Sequence, residues 1–383
     1  MSWPLKSLSE LCLLAVDCVN KTAPIVDYPT PYRMIRTTNV KRGFIDVDTV
    51  RYVTEETFQS WTRRSQPRFG DVILTREAPV GEVGRCTFDD DKNIFLGQRL
   101  FLYRPDPELL DWNYLAYVLQ SPLMQSKLHG MSFGATVPHI KVGYAENLEI
   151  PCPSLDIQKS IGSLLAAYDD LIEVNRRRIC LLEESARLLY REWFVNLRFP
   201  GCELVRRTEG IPEGWSRERL DSALLLQRGF DLPNGVRKPG NIPIYASAGI
   251  NGYHNEAKVK GPGIVTGRSG TLGLVHYVSG DFWPLNTALW VKEFRRVTPL
   301  FAYFMLSEMN LAQYNSGASV PSLDRKVVHP VEILIPPERV IGQFGEYVEP
   351  LFEQVEYLRE ANLRAAEARD ALLPKLMSGA IQV

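Results

Sequence analysis

The residues best suited to covalent chemistry stand in the wrong company for it. An enzyme that methylates a flipped adenine holds the base with Asp, Asn or Ser before Pro-Pro and an aromatic ring after it. The one Pro-Pro here, Pro336-Pro337, follows Ile335 and precedes Glu338. The run Gly267-Arg268-Ser269-Gly270-Thr271-Leu272-Gly273 has the glycines of a phosphate loop but lacks the lysine. It reads first as a tight turn between strands, and second as a loop whose backbone approaches DNA phosphates. Asp169, Asp170 and Glu173 suggest a metal site. On a helix, adjacent carboxylates diverge by about 100°, so a solvated or partner-facing cluster is expected instead. His129, His139, His254, His276 and His329 are scattered, with no nucleophile and carboxylate spaced as a triad.

Binding chemistry is better represented. Phosphate contact needs cations, and base reading needs Arg, Lys, Asn or Gln. In the first half, Arg33, Arg36, Thr37, Asn39, Lys41 and Arg42 form the densest basic-polar run. Arg63, Arg64 and Arg68 follow, with Trp61 beside them, and Arg76 closes a β-type run. In the second half the candidates are Arg228, Arg237, Lys238, Asn251, Tyr253, Lys258, Lys260 and Arg268, with Tyr245, His254 and Asn255 among them. Each of these charges has a plain alternative as a solvated face.

The elements that position these residues occur twice. Trp3-Pro4-Leu5-Lys6-Ser7-Leu8 is echoed by Trp215-Ser216-Arg217-Glu218-Arg219-Leu220. Ile73-Leu74-Thr75-Arg76 with Val80-Gly81 is echoed by Ile264-Val265-Thr266-Gly267-Arg268 with Leu272-Gly273. Gly134-Ala135-Thr136-Val137-Pro138 returns as Gly317-Ala318-Ser319-Val320-Pro321, and Leu148-Glu149-Ile150-Pro151 as Ile333-Leu334-Ile335-Pro336. Four echoes in one order, about half a chain apart, mean duplicated domains. Within each copy, β-type runs at 44–50, 71–74, 94–103, 263–266 and 288–291 are punctuated by Gly and Pro, and short helices are expected at 111–119 and 299–311.

After each Ile-Pro the texture becomes helical. Ile157, Ile161, Leu164, Tyr168 and Leu171 step by four and three. The register then slips by one, and Ile172, Asn175, Ile179, Leu182, Ala186, Leu189 and Trp193 resume it. Phe199-Pro200-Gly201 stops the run, a rod of about 40 residues and about 60 Å. In the second copy Ile341, Phe344, Val348, Leu351, Val355 and Leu358 form the seam, and Pro350 is a candidate kink. Rods with one apolar stripe need a partner in water. An antiparallel pair would give a coiled-coil spacer with a globular domain at each end and pseudo-twofold symmetry. Asn175 on the seam either fixes register or lies partly exposed at the slip.

Composition excludes several classes. A net charge of -1 is not that of a generic nucleic-acid coat protein, although basic faces can be local. The 45% apolar content suits a globular core, and 383 residues suit two or three domains. Six cysteines without CxxC spacing read as reduced thiols in a cytoplasmic protein. The apolar run at 11–16 is too short for a signal peptide or a membrane span.

Four motifs, in order, carry a family resemblance. They are Gly70-Asp71-Val72-Ile73-Leu74-Thr75-Arg76, Tyr168-Asp169-Asp170-Leu171-Ile172-Glu173-Val174-Asn175-Arg176-Arg177, Ile211-Pro212-Glu213-Gly214-Trp215 and Leu372-Leu373-Pro374-Lys375-Leu376-Met377-Ser378-Gly379-Ala380-Ile381. Together they resemble the specificity (S) subunits of Type I restriction-modification enzymes over essentially the whole chain. The resemblance implies an α+β protein. Residues 1–153 and 201–335 would be two target recognition domains, and 154–200 and 336–383 two conserved antiparallel helices. Such a subunit is non-catalytic and reads a bipartite site in double-stranded DNA. Its partners would be two methyltransferase subunits using S-adenosylmethionine and two restriction subunits using ATP and magnesium. No cofactor is implied for this chain. Two other readings stand beside this one: a duplicated protein-binding adaptor, and a self-contained DNA modification enzyme.

Overall fold

A computed structural model of the chain describes residues 3–88, 93–133 and 138–381. The echo at 134–137 lies outside the described residues. Four helices organise the chain: α1 (Trp112–Gln120), α2 (Leu155–Tyr190), α3 (Pro299–Glu308) and α4 (Glu338–Met377). The chain divides into two compact units, Met1–Asn175 with Ala361–Val383, and Arg176–Glu360. Each unit thus holds one end of α2 and one end of α4. Among the described residues no helix is long and apolar enough to cross a membrane.

In the first unit seven strands matter: β1 (Cys12–Asp17), β2 (Arg33–Ile35), β3 (Arg51–Tyr52), β4 (Val72–Arg76), β5 (Val80–Arg85), β6 (Ile94–Leu96) and β7 (Leu100–Pro105). The main sheet is antiparallel in the order β1-β7-β4-β5. All of β4 is buried, because both faces of the sheet are covered. Alternate residues of a strand face opposite sides. Val72 and Leu74 pack with α1 residues Leu115 and Val118 and with Ile161, Leu165 and Leu376 of the long helices. Ile73 and Leu102 pack on the other side with Ile35, Val40 and Cys86. That other side carries a second sheet, β3-β2-β6, in which β2 and β6 are parallel. Leu5–Ser7 pairs with Glu149–Pro151 where the domain meets α2.

The second unit repeats the design. Its strands are β8 (Leu224–Arg228), β9 (Ile242–Ala246), β10 (Gly249–His254), β11 (Gly263–Gly267), β12 (Val275–Val278), β13 (Trp283–Pro284) and β14 (Ala288–Phe294). The main sheet runs β8-β14-β11-β12, and the second sheet β10-β9-β13 again has one parallel pair. Ser216–Arg219 pairs with Glu332–Ile335 as its counterpart does. The glycine-rich run 267–273 is the turn between β11 and β12. The Gly270 amide donates to the Pro321 carbonyl at 2.9 Å and the Arg268 amide to that of Thr287 at 2.9 Å, so these amides are used internally.

Two expected strands differ. The run 44–50 forms pairing only at Phe44–Ile45, where Asp46 turns the chain by accepting from the Asp48 and Thr49 amides. The run 94–103 breaks into β6 and β7, with Arg99 left-handed at φ 73° between them.

The long helices pack antiparallel inside each unit. In the first, Asp169 meets Arg369, and Asn175 Nδ2 donates to Asn362 Oδ1 at 2.9 Å. In the second, Glu183 pairs with Arg359 at 2.6 Å and Tyr190 stands edge-on to Phe344 at 5.9 Å. The α4 seam is as expected: Ile341, Phe344, Val348, Val355 and Leu358 are buried and Leu351 half-buried. The helix is continuous through Pro350. In α2 the expected slip is corrected. Ile161, Leu165, Asp169, Ile172 and Asn175 are the buried line, Leu164 and Tyr168 are half-buried, and Leu171 is 49% exposed. The seam passes through a carboxylate, which a search for apolar residues steps around. Beyond Asn175, Ile179, Leu182 and Leu189 are half-buried and Ala186 and Trp193 buried. Asn175 itself is buried on its partner amide, which fits the register role.

Candidate nucleic-acid interface

The candidate residues are divided between the sheets: Arg33 and, in the second unit, Asn251 and Tyr253 lie on the second sheets, while Arg76 and Arg228 end strands of the main ones. In the second unit, β10 is an edge strand whose residues Ile250 to Tyr253 are all exposed. Arg237 reaches across to it. Nη1 donates to the Asn251 carbonyl at 2.7 Å, and Nη2 to Asn251 Oδ1 at 3.1 Å. The Lys238 amide donates to Nδ1 of buried His254 at 3.0 Å, and the His254 ring stands edge-on to Trp283 at 5.3 Å. Lys258 covers the Trp283 ring with its ammonium at 5.2 Å, a cation–π contact. Tyr253 and Lys260 project outward. Arg228 pairs loosely with Asp231 at 3.7 Å, and Arg268 donates to the Asn286 carbonyl at 2.9 Å. Beside this sheet lies a cleft of about 970 Å³ lined by Tyr245, His276, Tyr303, Glu356 and Arg359. Burial pushes the His276 imidazole below its usual range.

In the first unit, Lys41 and Arg42 are exposed and Arg33 and Arg36 half-buried. Arg42 is held left-handed at φ 46°, with its amide on Glu82 at 3.0 Å. Arg63 is exposed, with Nε on the Ser60 carbonyl at 2.9 Å, and Arg64 pairs with Asp17 while half its side chain stays in solvent. The structure removes two candidates from the surface. Asn39 is buried, donating to Thr49 Oγ1 and accepting from the Arg36 amide. Arg76 is buried, donating to the Ile140 carbonyl at 2.9 Å with Asp17 at 3.9 Å. Both look like ligand groups in a sequence because they are polar. They are core hydrogen-bonding groups because their loops turn inward. Arg51 of β3 is a further exposed cation that the sequence reading leaves out, next to Tyr52, which Val26 bridges from outside the sheet. Its signal was its place after a β-type run that the structure shortens.

The carboxylate in the seam makes a second site. Asp169 is fully buried between Arg85 and Arg369. The Tyr117 hydroxyl donates to Oδ2 at 2.5 Å and Arg85 approaches it at 3.3 Å. Arg85 also donates to Asn113 at 2.9 Å and lies over the Tyr117 and Trp112 rings. Burial, then the neighbouring Asp169 charge, drives the Tyr117 phenol well above its ordinary range, against the pull of Arg85. The expected solvated acidic cluster is therefore half right: Asp170 is exposed, but Asp169 is structural.

Comparison with known proteins favours one of the readings. Residues 31–184 match the family described as Type I restriction modification DNA specificity domain. The Type I restriction enzyme MjaIX specificity subunit of Methanocaldococcus jannaschii is 27% identical over 363 residues, 87% of this chain and 82% of that protein. Over most of its length the chain is therefore similar to Type I specificity subunits. The EcoprrI specificity subunit of Escherichia coli is 30% identical over 196 residues, 49% of this chain and 47% of that one. The solved S subunit of a Type I system from M. genitalium has the same fold, with a TM-score of 0.59 at 18% identity, covering 98% of this chain and 96% of that one. The overall fold is thus shared with that S subunit.

Proposed function

We propose that this chain reads a bipartite sequence in double-stranded DNA, one half-site per unit, for two methyltransferase and two restriction subunits. The observation that carries this is the repeated design. Each unit sets a second sheet with basic residues at its rim, Arg51 on β3 and Arg237 and Lys238 beside β10, on a doubly covered main sheet. Phosphate contacts would come from flexible cations such as Lys41, Arg42, Lys258 and Lys260, and base contacts from the more rigid strand residues. The chain would hold no cofactor and perform no covalent step. S-adenosylmethionine, ATP and magnesium would belong to the partners, and the complex would work in the cytoplasm.

The long helices would set the gap between half-sites, since DNA advances about 34 Å per turn. Their outer faces also support partner docking. In the second unit, Leu181, Leu188 and Val195 are exposed at intervals of seven, a stripe left uncovered by this chain. The test is base-resolution adenine-methylation sequencing of the native genome with and without the gene. One two-part methylated motif should vanish on deletion. An unchanged methylome would overturn the reading. Inserting one heptad in both helices should lengthen the unread gap and leave both half-sites unchanged.

A further inference from the structure

An exposed edge strand invites pairing with other chains, and proteins normally blunt it. Strand β10 is left open. Ile250, Asn251, Gly252 and Tyr253 are four consecutive exposed residues between buried Gly249 and His254. A strand lying flat on a core would hide every second one, so this stretch stands clear on both faces. Its shape is nevertheless fixed. Strand β9 pairs along one edge, and Arg237 grips Asn251 by main chain and side chain together. Gly252, beside Asn251, is left-handed at φ +107°, a conformation that side chains rarely adopt, and so shapes the strand where Arg237 reaches it. The Lys238–His254 bond staples the segment carrying Arg237 to the end of the same strand.

A guanidinium has donors and no acceptor. It therefore decides which end of the Asn251 amide faces it: the oxygen is held inward and the amino group is turned out. We infer that Asn251 reads one base of the second half-site through that amino group alone, with Arg237 as its positioning residue. This rests on the DNA-reading function proposed above. A two-stranded ribbon fits the major groove, where an unconstrained asparagine pairs with adenine by accepting from N6 and donating to N7. The oxygen keeps a second lone pair, but held against Arg237 it faces away from the groove, and the amino group is what Asn251 presents to a base. Its partner is an edge made of acceptors, guanine N7 and O6 first and thymine O4 second. Cytosine, which presents a donor there, is refused.

The probe is a pool of duplexes with randomised sequence, bound by the full chain assembled with its methyltransferase subunit and sequenced after selection. The wild-type motif should hold guanine or thymine at one position of one half-site. Asn251→Asp keeps an acceptor for Arg237, and with it the local fold, but turns an acceptor outward. That single position should then switch toward cytosine by about tenfold or more, with the rest of the motif unchanged. Arg237→Met frees the amide to rotate, and adenine should be admitted at the same position. A merely structural role for either residue would weaken binding to all sequences alike. An Asn251→Asp motif identical to wild type, or altered evenly throughout, overturns the inference and leaves the DNA-reading function standing. A wild-type selection without any motif overturns that function, and the inference with it.

Discussion

The two units solve one problem with opposite chemistries. The cap residues Asp111 of α1 and Thr298 of α3 occupy the same place in the duplicated domain, so six residues on Tyr117 corresponds to Phe304. Gly162 of α2 and Gly345 of α4 correspond likewise, so seven residues on Asp169 corresponds to Phe352. In the first unit that pair is a phenol donating to a buried carboxylate at 2.5 Å, neutralised by Arg85 and Arg369. In the second it is two phenyl rings edge-on at 5.7 Å, with Tyr277 and Tyr303 also packed on Phe352. The aromatic version depends on area and shape. The ionic version depends on every partner being present, because a buried charge left alone is costly. Duplication conserved the position and left its chemistry free.

The comparison breaks most readily at Asp169. Asp169→Ala leaves buried Arg85 with the Asp170 carboxylate at 3.8 Å and Arg369 with that of Asp370, and should cost about 3 kcal/mol in denaturant unfolding. Replacing the whole cluster, Asp169→Leu with Arg85→Met and Arg369→Met, should recover most of that loss by making the first junction apolar like the second. A triple variant as unstable as the single one would show that the arginines hold the domain for another reason.

The paired glycines sharpen the contrast with opposite signs. A Cβ on Gly162 would lie 2.5 Å from Asp111 Oδ1 and 2.9 Å from the Tyr114 amide nitrogen, so Gly162→Ala should cost about 1–3 kcal/mol. On Gly345 the nearest atom is the Glu349 carboxylate at 3.2 Å, the end of a flexible side chain. Gly345→Ala should raise stability by up to about 1 kcal/mol through helix propensity. Equal effects at both sites would sink the correspondence drawn here.

Alkali should separate the units next. In the first unit burial lifts Cys86 well above 9.0 and Cys12 to about 12. Above pH 9 the unfolded thiols have lost their protons and the folded ones keep them. The native state then binds more protons, and stability falls with rising pH, by about 1.4 kcal/mol per unit per thiol, until the folded value is reached. Tyr190 and Tyr277 of the second unit, also lifted by burial, enter the same regime only above 10.0. The melting temperatures of wild type and Cys86→Val should therefore diverge above about pH 9, and parallel curves would refute this. The smallest effect is expected at the seam: Asn175→Ala loses the Asn362 bond and should cost about 1 kcal/mol by the same unfolding assay.

How much of this was legible in the chain follows from what periodicity and composition encode. Four echoes and two apolar stripes carried the duplication, the helices and the α4 seam, since burial of a stripe leaves a repeat in the letters. Asp169 left none: a charged residue belongs in a seam only when arginines distant in sequence come to it, and nothing local announces Arg85 or Arg369. The candidate surface suffered the reverse error. Asn39, Arg76 and Arg237 read as free polar groups, yet two are buried and the third is engaged with Asn251. Which polar residues face outward is decided by turns that pair distant segments, and that is settled only in the folded chain.

In each unit the second sheet is built from two excursions of the main one. The first runs between β1 and β4, or between β8 and β11. The second runs between β5 and β7, or between β12 and β14, and contributes the parallel strand. The first excursion leaves and re-enters on strands that flank a common neighbour, at about 10 Å. Transplantation therefore has a rule: both excursions of a unit must travel together, because the parallel strand of one completes the sheet of the other. A graft of residues 229–262 alone should misfold. A graft that adds 279–287 asks the recipient only for four short joins at the ends of main-sheet strands.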